Sequence, residues 1–111
     1  MSKDQKAYLY HMIEAIGNIE SYVDGLSEQD FYESKIVQDA VIRNLEIIGE
    51  AAKQVSKAIK DKHPGIEWKQ IAGLRDILIH EYFGVDIEKV WRIVQNRLLE
   101  LKKKLIKIVS I

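Results

Sequence analysis

Apolar residues recur every three or four positions along almost the whole chain, and this spacing is typical of helices that bury one face. Near the N-terminus the pattern includes Leu9, Met12, Ile16 and Ile19. The chain has a single proline, and no stretch alternates polar and apolar residues over the length of a useful strand. The sequence therefore predicts an all-α protein.

Residues suited to turns and caps divide this pattern into helices. Asp24-Gly25 and His63-Pro64-Gly65 are expected to end helices, and Ser27 with Asp30 resembles a capping box that opens a short turn of helix. The longer predicted segments run from about Asp4 to Val23, from about Ser34 to Lys62, from about Glu67 to His80, and from Asp86, as N-cap after a turn at Gly84, to near Val109. Helices of these lengths joined by short loops are expected to pack as an antiparallel, up-and-down bundle of four to five helices.

Composition limits the protein to one soluble domain. The 111 residues, of which 47% are hydrophobic and 31% charged, fit a single globular domain spanning residues 1–111. The chain contains no cysteine, so disulfides, thiolate metal sites and thiol nucleophiles are excluded. The formal net charge of zero argues against a protein that coats nucleic acid through bulk electrostatics, but it leaves room for a local basic patch.

Nothing in the sequence predicts export or membrane insertion. The first residues turn directly into an amphipathic pattern without the character of a signal peptide. No apolar run approaches the roughly 20 residues that a membrane helix needs. We therefore expect no membrane association and a cytoplasmic location.

The segment from Arg75 to Tyr82 carries the clearest chemical signal. Arg75 has a planar, permanently charged guanidinium that suits phosphate oxygens, and His80 can exchange a proton near neutral pH. One group that holds charge and another that moves a proton can together break a phosphodiester without a metal ion. The alternative stays open, because an arginine and a histidine on one amphipathic helix are often solvent-facing or ion-paired.

The spacing of the two residues raises a geometric question. On a regular helix Arg75 and His80 lie about 140° apart and do not share a face, whereas Asp76 and His80 do share one. Either the helix is distorted near His80, or Arg75 and His80 meet across two chains. Asp76 would be placed to fix the tautomer of the imidazole.

A narrow polar stripe marks the long segment that begins near Ser34. Its members Asp39, Arg43, Glu46, Glu50 and Lys53 share one helix face. The stripe either faces water, or it lines an active cleft in which Arg43, Glu46 and Glu50 would orient Arg75 and His80. Gly49 in mid-helix favours the close approach of another helix, which would offset its conformational cost.

The order of the motifs resembles one known family. The segment from Arg43 to Ala52 reads R-N-L-E-I-I-G-E-A-A, Trp68 precedes I-x-G-x-R, and His80-Glu-Tyr completes R-x(4)-H-x-Y. This set, which extends over nearly the whole chain, resembles the HepT-like branch of the HEPN superfamily, the toxin half of MNT–HEPN toxin–antitoxin pairs.

The resemblance implies a function for the motif. It implies a metal-independent endoribonuclease without a cofactor, in which Arg75 and His80 are catalytic and line a groove shared by a homodimer. It further implies that a partner MNT nucleotidyltransferase, the antitoxin, silences the toxin by transferring AMP to Tyr82. Asp76 departs from the asparagine that is frequent in HepT-like chains, and an acid facing RNA would weaken binding.

Two features keep a second function open. Asp76 and the zero net charge are also compatible with a non-catalytic helical dimer that binds nucleotide, or that presents a substrate residue to the transferase.

The lysines at positions 102, 103, 104 and 107 are expected to form a solvated tail that faces the end of a helix dipole. An RNA-guiding role for these lysines is the alternative. Trp68 and Trp91 are expected to pack in the core.

Overall fold

The computed structural model describes residues 1–80 and 86–110, without the side chains of residues 75 and 77–80. The described residues form α-helices and contain no β-strand, which confirms the predicted all-α fold. The helices are α1 (Lys3–Val23), α2 (Glu28–Glu33), α3 (Lys35–Gln54), α4 (Lys57–Lys62), α5 (Trp68–His80), α6 (Ile87–Asn96) and α7 (Leu98–Val109).

The predicted caps are confirmed. Gly25 follows α1 with a φ of 75°, a conformation that glycine adopts without steric cost. Ser27 and Asp30 form a reciprocal capping box at α2, in which each side chain accepts a hydrogen bond at 3.1 Å from the backbone N–H of the other. Asp86 caps α6 by accepting from the backbone N–H of Lys89 at 3.1 Å. Local sequence therefore sets these three boundaries.

The prediction of one continuous helix from Ser34 to Lys62 is wrong, because the chain breaks at Val55 and Ser56. The Ser56 hydroxyl accepts a hydrogen bond from the backbone N–H of Ile59 at 3.3 Å and starts α4 as its N-cap. The backbone N–H of Ser56 donates to Gln5 Oε1 at 2.7 Å. A side chain of α1 thus satisfies a backbone group that a continuous helix would satisfy internally.

The final predicted segment is also interrupted, at Arg97. This residue lies between α6 and α7 with φ −122° and ψ −35°, and its Nη1 forms an ion pair with Glu67 Oε2 at 2.7 Å. The two interruptions explain why the described residues form seven helices instead of four to five. The apolar face of this segment is nevertheless buried at Val90, Val94, Leu98, Leu101, Leu105 and Ile108, and half-buried at Trp91.

Helix α1 packs against α3 and α7. Gln5 Nε2 donates to the carbonyl of Gln54 at 3.2 Å near one end of the α1–α3 contact. Asn18 Nδ2 donates to Asn44 Oδ1 at 3.2 Å near the other end. Because residue numbers rise on one helix as they fall on the other, α1 and α3 are antiparallel, as predicted for an up-and-down bundle.

Two of the four C-terminal lysines are held by specific contacts. Lys102 Nζ pairs with Glu20 Oε1 at 2.7 Å, and Lys104 Nζ donates to the carbonyl of Gly65 at 2.9 Å. Lys103 and Lys107 are exposed. The solvated-tail interpretation is therefore wrong for Lys102 and Lys104, because α1 and the loop before α5 lie within reach of their side chains.

Both tryptophans pack as expected. Trp68 is buried at the start of α5, and its indole N–H donates to the carbonyl of His63 at 3.0 Å. Trp91 lies against Phe31 with ring centroids 5.2 Å apart, which joins α6 to α2. These contacts place aromatic surface between helices, where it stabilises the packing.

One polar side chain is buried in the α1–α3 contact. Asn44 is only 6% exposed. Its Oδ1 accepts from Asn18, and its Nδ2 donates to the carbonyl of Ala40 at 2.9 Å. Because a shift of α3 along α1 would leave this amide unsatisfied, the pair favours one register of the two helices.

Replacing Asn44 tests this role. We expect Asn44→Ala to lower the free energy of unfolding by about 1–3 kcal/mol, because the buried hydrogen bonds are lost. Urea unfolding followed by circular dichroism measures the change. The control is Asn96→Ala, because Asn96 is an exposed residue of α6. For this substitution we expect the free energy of unfolding to change by less than about 0.5 kcal/mol. Equal effects of the two substitutions would contradict the proposed role of Asn44.

Candidate active site

Helix α5 carries the predicted catalytic segment. The loop before it is anchored by buried Ile66, whose carbonyl accepts a hydrogen bond from the backbone N–H of Trp68 at 2.9 Å. The helix then continues to His80. The structure thus places Arg75 and His80 on one helix, but their side chains and the whole of Tyr82 lie outside the described residues. The roles of these three residues remain predictions.

The backbone of α5 bears on the geometric question raised by the sequence. It is helical from Trp68 through His80, so no break separates Arg75 from His80. In a regular helix five residues correspond to a rotation of about 140°. The expectation that one chain carries these two residues on different faces of α5 therefore stands as a prediction.

Asp76 lies on the surface of α5 beside α3. Its carboxylate oxygen Oδ1 is 3.7 Å from Lys53 Nζ, and the side chains are 55% and 36% exposed, respectively. A pair with this exposure contributes little to stability, on the order of 0–1 kcal/mol. Its effect on charge is more important, because Lys53 partly offsets the negative charge that Asp76 places next to Arg75. The orienting role predicted for Asp76 is not tested by this contact.

The polar stripe of α3 has different surroundings at its two ends. Asp39 pairs with Lys35 of the same helix at 3.1 Å, and both side chains are well exposed. Lys53 reaches Asp76 of α5. The first end of the stripe therefore faces solvent, and the second end lies beside α5. Lys53 belongs to the predicted stripe but was not among the predicted site residues.

The middle of the stripe holds the three residues predicted to support catalysis. Arg43 and Glu50 are exposed, and Glu46 is half-buried. Gly49 is buried on α3, which packs against both α1 and α5, as expected for a glycine approached by another helix. Orientation of Arg75 and His80 by Arg43, Glu46 and Glu50 remains a prediction.

The described residues contain neither a group suited to bind a metal ion nor a helix suited to span a membrane. Within residues 1–80 and 86–110, no group of three or more histidine, aspartate or glutamate side chains is arranged to hold a metal ion. No described helix combines the length and apolar character required to cross a membrane.

Comparison with known proteins identifies the family. The profile of the family described as "Ribonuclease HepT-like" matches residues 12–108. The chain is 47% identical over 110 residues to a Methanocaldococcus jannaschii protein named "Gamma-glutamylcyclotransferase and putative RNase". This match covers 99% of the chain but half of the relative's length.

Two shorter relatives match over most of their own length. A second Methanocaldococcus jannaschii protein, named "Putative RNase", is 41% identical over 108 residues, covering 97% of this chain and 89% of the relative. A Thermococcus cleftensis protein named "Probable ribonuclease HepT" is 44% identical over 104 residues, covering 94% of each chain. No solved structure matches the chain significantly. The profile and these relatives show that the chain belongs to the HepT-like ribonuclease family.

Proposed function

We propose that this chain is a metal-independent endoribonuclease that acts as a homodimer, with Arg75 and His80 as its catalytic residues. The observation that carries the proposal is the position of both residues on one regular helix in a member of a ribonuclease family. A fixed cation and a group that exchanges protons near neutral pH are sufficient for this chemistry.

The reaction is an internal transesterification. The ribose 2′-oxygen attacks the adjacent phosphorus, the bond from phosphorus to the 5′-oxygen breaks, and a cyclic phosphate remains on the upstream fragment. His80 takes the proton of the 2′-hydroxyl or supplies one to the leaving 5′-oxygen, and water carries out the other proton transfer. Arg75 binds the scissile phosphate and stabilises the charge that develops on its oxygens.

A homodimer explains how residues on different faces of α5 act together. A twofold axis near α5 brings Arg75 of one subunit close to His80 of the other. Helix α3, which packs against α5, offers a surface for such a contact. Ile36 and Ile47 are 84% and 37% exposed there, and they share a helix face with Arg43. A second copy of the chain that covers this face would bury both isoleucines.

Loss of His80 tests the catalytic assignment. We expect His80→Ala to slow RNA cleavage by about 10²-fold or more, because no group remains to transfer the proton. His11→Ala is the control, since His11 is exposed on α1 and has no proposed role. Gel analysis of a labelled RNA measures both rates, and the upstream product should end in a cyclic phosphate.

The substrate provides a second control for the same experiment. An RNA with a single 2′-deoxyribose at the cleavage position should resist cutting there, because it lacks the attacking oxygen. Cleavage by His80→Ala at the rate of the parent chain would show that the assignment is wrong. A parent chain that cuts no RNA would instead favour the non-catalytic partner subunit.

We further propose that an MNT nucleotidyltransferase regulates the enzyme by transferring AMP to Tyr82. Tyr82 follows His80 by two positions. The phenol oxygen attacks the α-phosphorus of ATP, pyrophosphate leaves, and the phenol proton passes to solvent. The AMP group that remains would add bulk and negative charge close to Arg75. Both effects oppose entry of the RNA phosphate.

Intact-mass measurement tests this modification. After incubation with the cognate transferase and ATP, we expect the chain to gain the mass of one AMP group and to lose ribonuclease activity. Tyr82→Phe should gain no mass, because the acceptor oxygen is absent. Tyr10→Phe is the control, since Tyr10 is an exposed tyrosine on α1 and its loss should leave the modification intact. Modification of Tyr82→Phe to the same extent as the parent would contradict the proposal.

A further inference from the structure

Helix α6 presents a row of exposed polar side chains that is not explained by packing. Lys89, Arg92 and Asn96 are exposed and follow one another at helical spacing on one face. Val90 and Val94, on the opposite side, are buried. The row lines an open groove of about 530 Å³, which we call the α6 groove and whose lining is completed by Ile93 and Arg97.

The charges of Lys89 and Arg92 are not neutralised by ion pairs within the described part of the chain. Neither side chain lies in an ion pair there, whereas neighbouring Arg97 pairs with Glu67. Glu28 is an acid on α2, which packs against α6. Its carboxylate accepts a hydrogen bond from the Tyr32 hydroxyl at 2.5 Å and forms no ion pair with Lys89 or Arg92. Lys89 and Arg92 therefore offer an anion two positive charges on one exposed face of α6, and the exposed carboxylate of Glu88, one turn before Arg92, partly offsets them.

The groove is connected to both ends of the helix that carries the catalytic motif. Helix α6 begins seven positions after His80. At the other end, Arg97 contacts Glu67, the residue before α5 begins. The chain therefore returns along α6 from the end of α5 that holds His80 towards its start. From Lys89 to Asn96 the row is about 10 Å long.

The concave surface continues beyond α6. Asn96 and Arg97 also line a second pocket of about 160 Å³ between the start of α5 and α7. Ile71 and Leu101 supply apolar surface there, and the basic groups of Arg97 and Lys104 lie beside the carboxylates of Glu67 and Glu100. Because these charges balance, the phosphate contacts proposed below are confined to the α6 groove.

We propose that the α6 groove binds the phosphate backbone of the RNA strand as it leaves the cleavage position. Lys89 and Arg92 neutralise successive phosphates, and Asn96 donates a hydrogen bond to a phosphate or ribose oxygen. This proposal rests on the proposed ribonuclease function, because it takes RNA as the substrate. Contacts with phosphate hold the strand in register without reading its sequence.

Binding measurements with paired substitutions test the groove. The parent for these measurements is the full chain, and the RNA carries 2′-O-methyl groups, so that it lacks the attacking hydroxyl and is not consumed whether or not His80 is catalytic. Fluorescence anisotropy of a labelled single-stranded RNA compares Lys89→Ala/Arg92→Ala with Lys3→Ala/Lys6→Ala, which removes two exposed cations from the start of α1. Both pairs change the net charge equally. Thermal unfolding confirms that the variants remain folded.

We expect the α6 pair to weaken binding at least tenfold and the α1 pair to leave it within twofold. The slope of log affinity against log salt should become less steep by about 1.4 for the α6 pair, since each lost phosphate contact on single-stranded RNA contributes about 0.7. Arg92→Lys should retain most of the affinity because it keeps the positive charge. Equal effects of the two pairs, an unchanged affinity of the α6 pair, or a parent chain that binds no RNA would each overturn the groove proposal.

The outcomes separate this proposal from the ribonuclease proposal. If His80→Ala abolishes cleavage but the α6 pair binds RNA normally, only the groove is wrong. If the α6 pair loses binding but His80→Ala cuts RNA as fast as the parent, the groove stands and the catalytic assignment is wrong.

Discussion

The packing of α3 between α1 and α5 is the contact on which the rest of the structure depends. The helix buries Val41, Leu45, Ile48 and Ala52, none of which is exposed, and it contacts α1 through the Asn18–Asn44 hydrogen bond. Towards α5, Lys53 approaches Asp76. Because α3 contacts both helices, the position of α3 along α1 also determines where the polar stripe of α3 lies relative to α5, the helix that carries Arg75 and His80.

The sequence predicted the parts of the fold that local chemistry controls. The all-α class follows from the spacing of apolar residues. The caps at Ser27 and Asp86 follow from side chains that accept a hydrogen bond from the backbone N–H three residues later. The breaks at Ser56 and Arg97 could not be predicted in the same way. Each one depends on a partner distant in the chain, since Gln5 bonds to Ser56 and Glu67 pairs with Arg97. The spacing of apolar residues alone predicts an unbroken helix through both positions.

The candidate site likewise has features that the sequence predicts and one contact that only the tertiary structure reveals. Arg75, His80 and Tyr82 were identified from their chemistry and order in the sequence, and family membership supports a ribonuclease. The contact between Lys53 and Asp76 required the tertiary structure, because the two residues are 23 positions apart in the sequence. This contact also changes how Asp76 is interpreted. In the proposed mechanism Asp76, which follows Arg75 in the sequence, opposes RNA binding, and the ammonium of Lys53 reduces that opposition.

The central claim is that two chains jointly form each catalytic site, with Arg75 from one and His80 from the other. Arg75→Ala and His80→Ala should each be inactive alone, and mixing them with subunit exchange measures complementation. A mixed dimer then contains one site with both native residues, so about a quarter of the parent activity should return when subunits pair at random. Activity that stays at the level of the single variants, after exchange has been verified, would contradict the account.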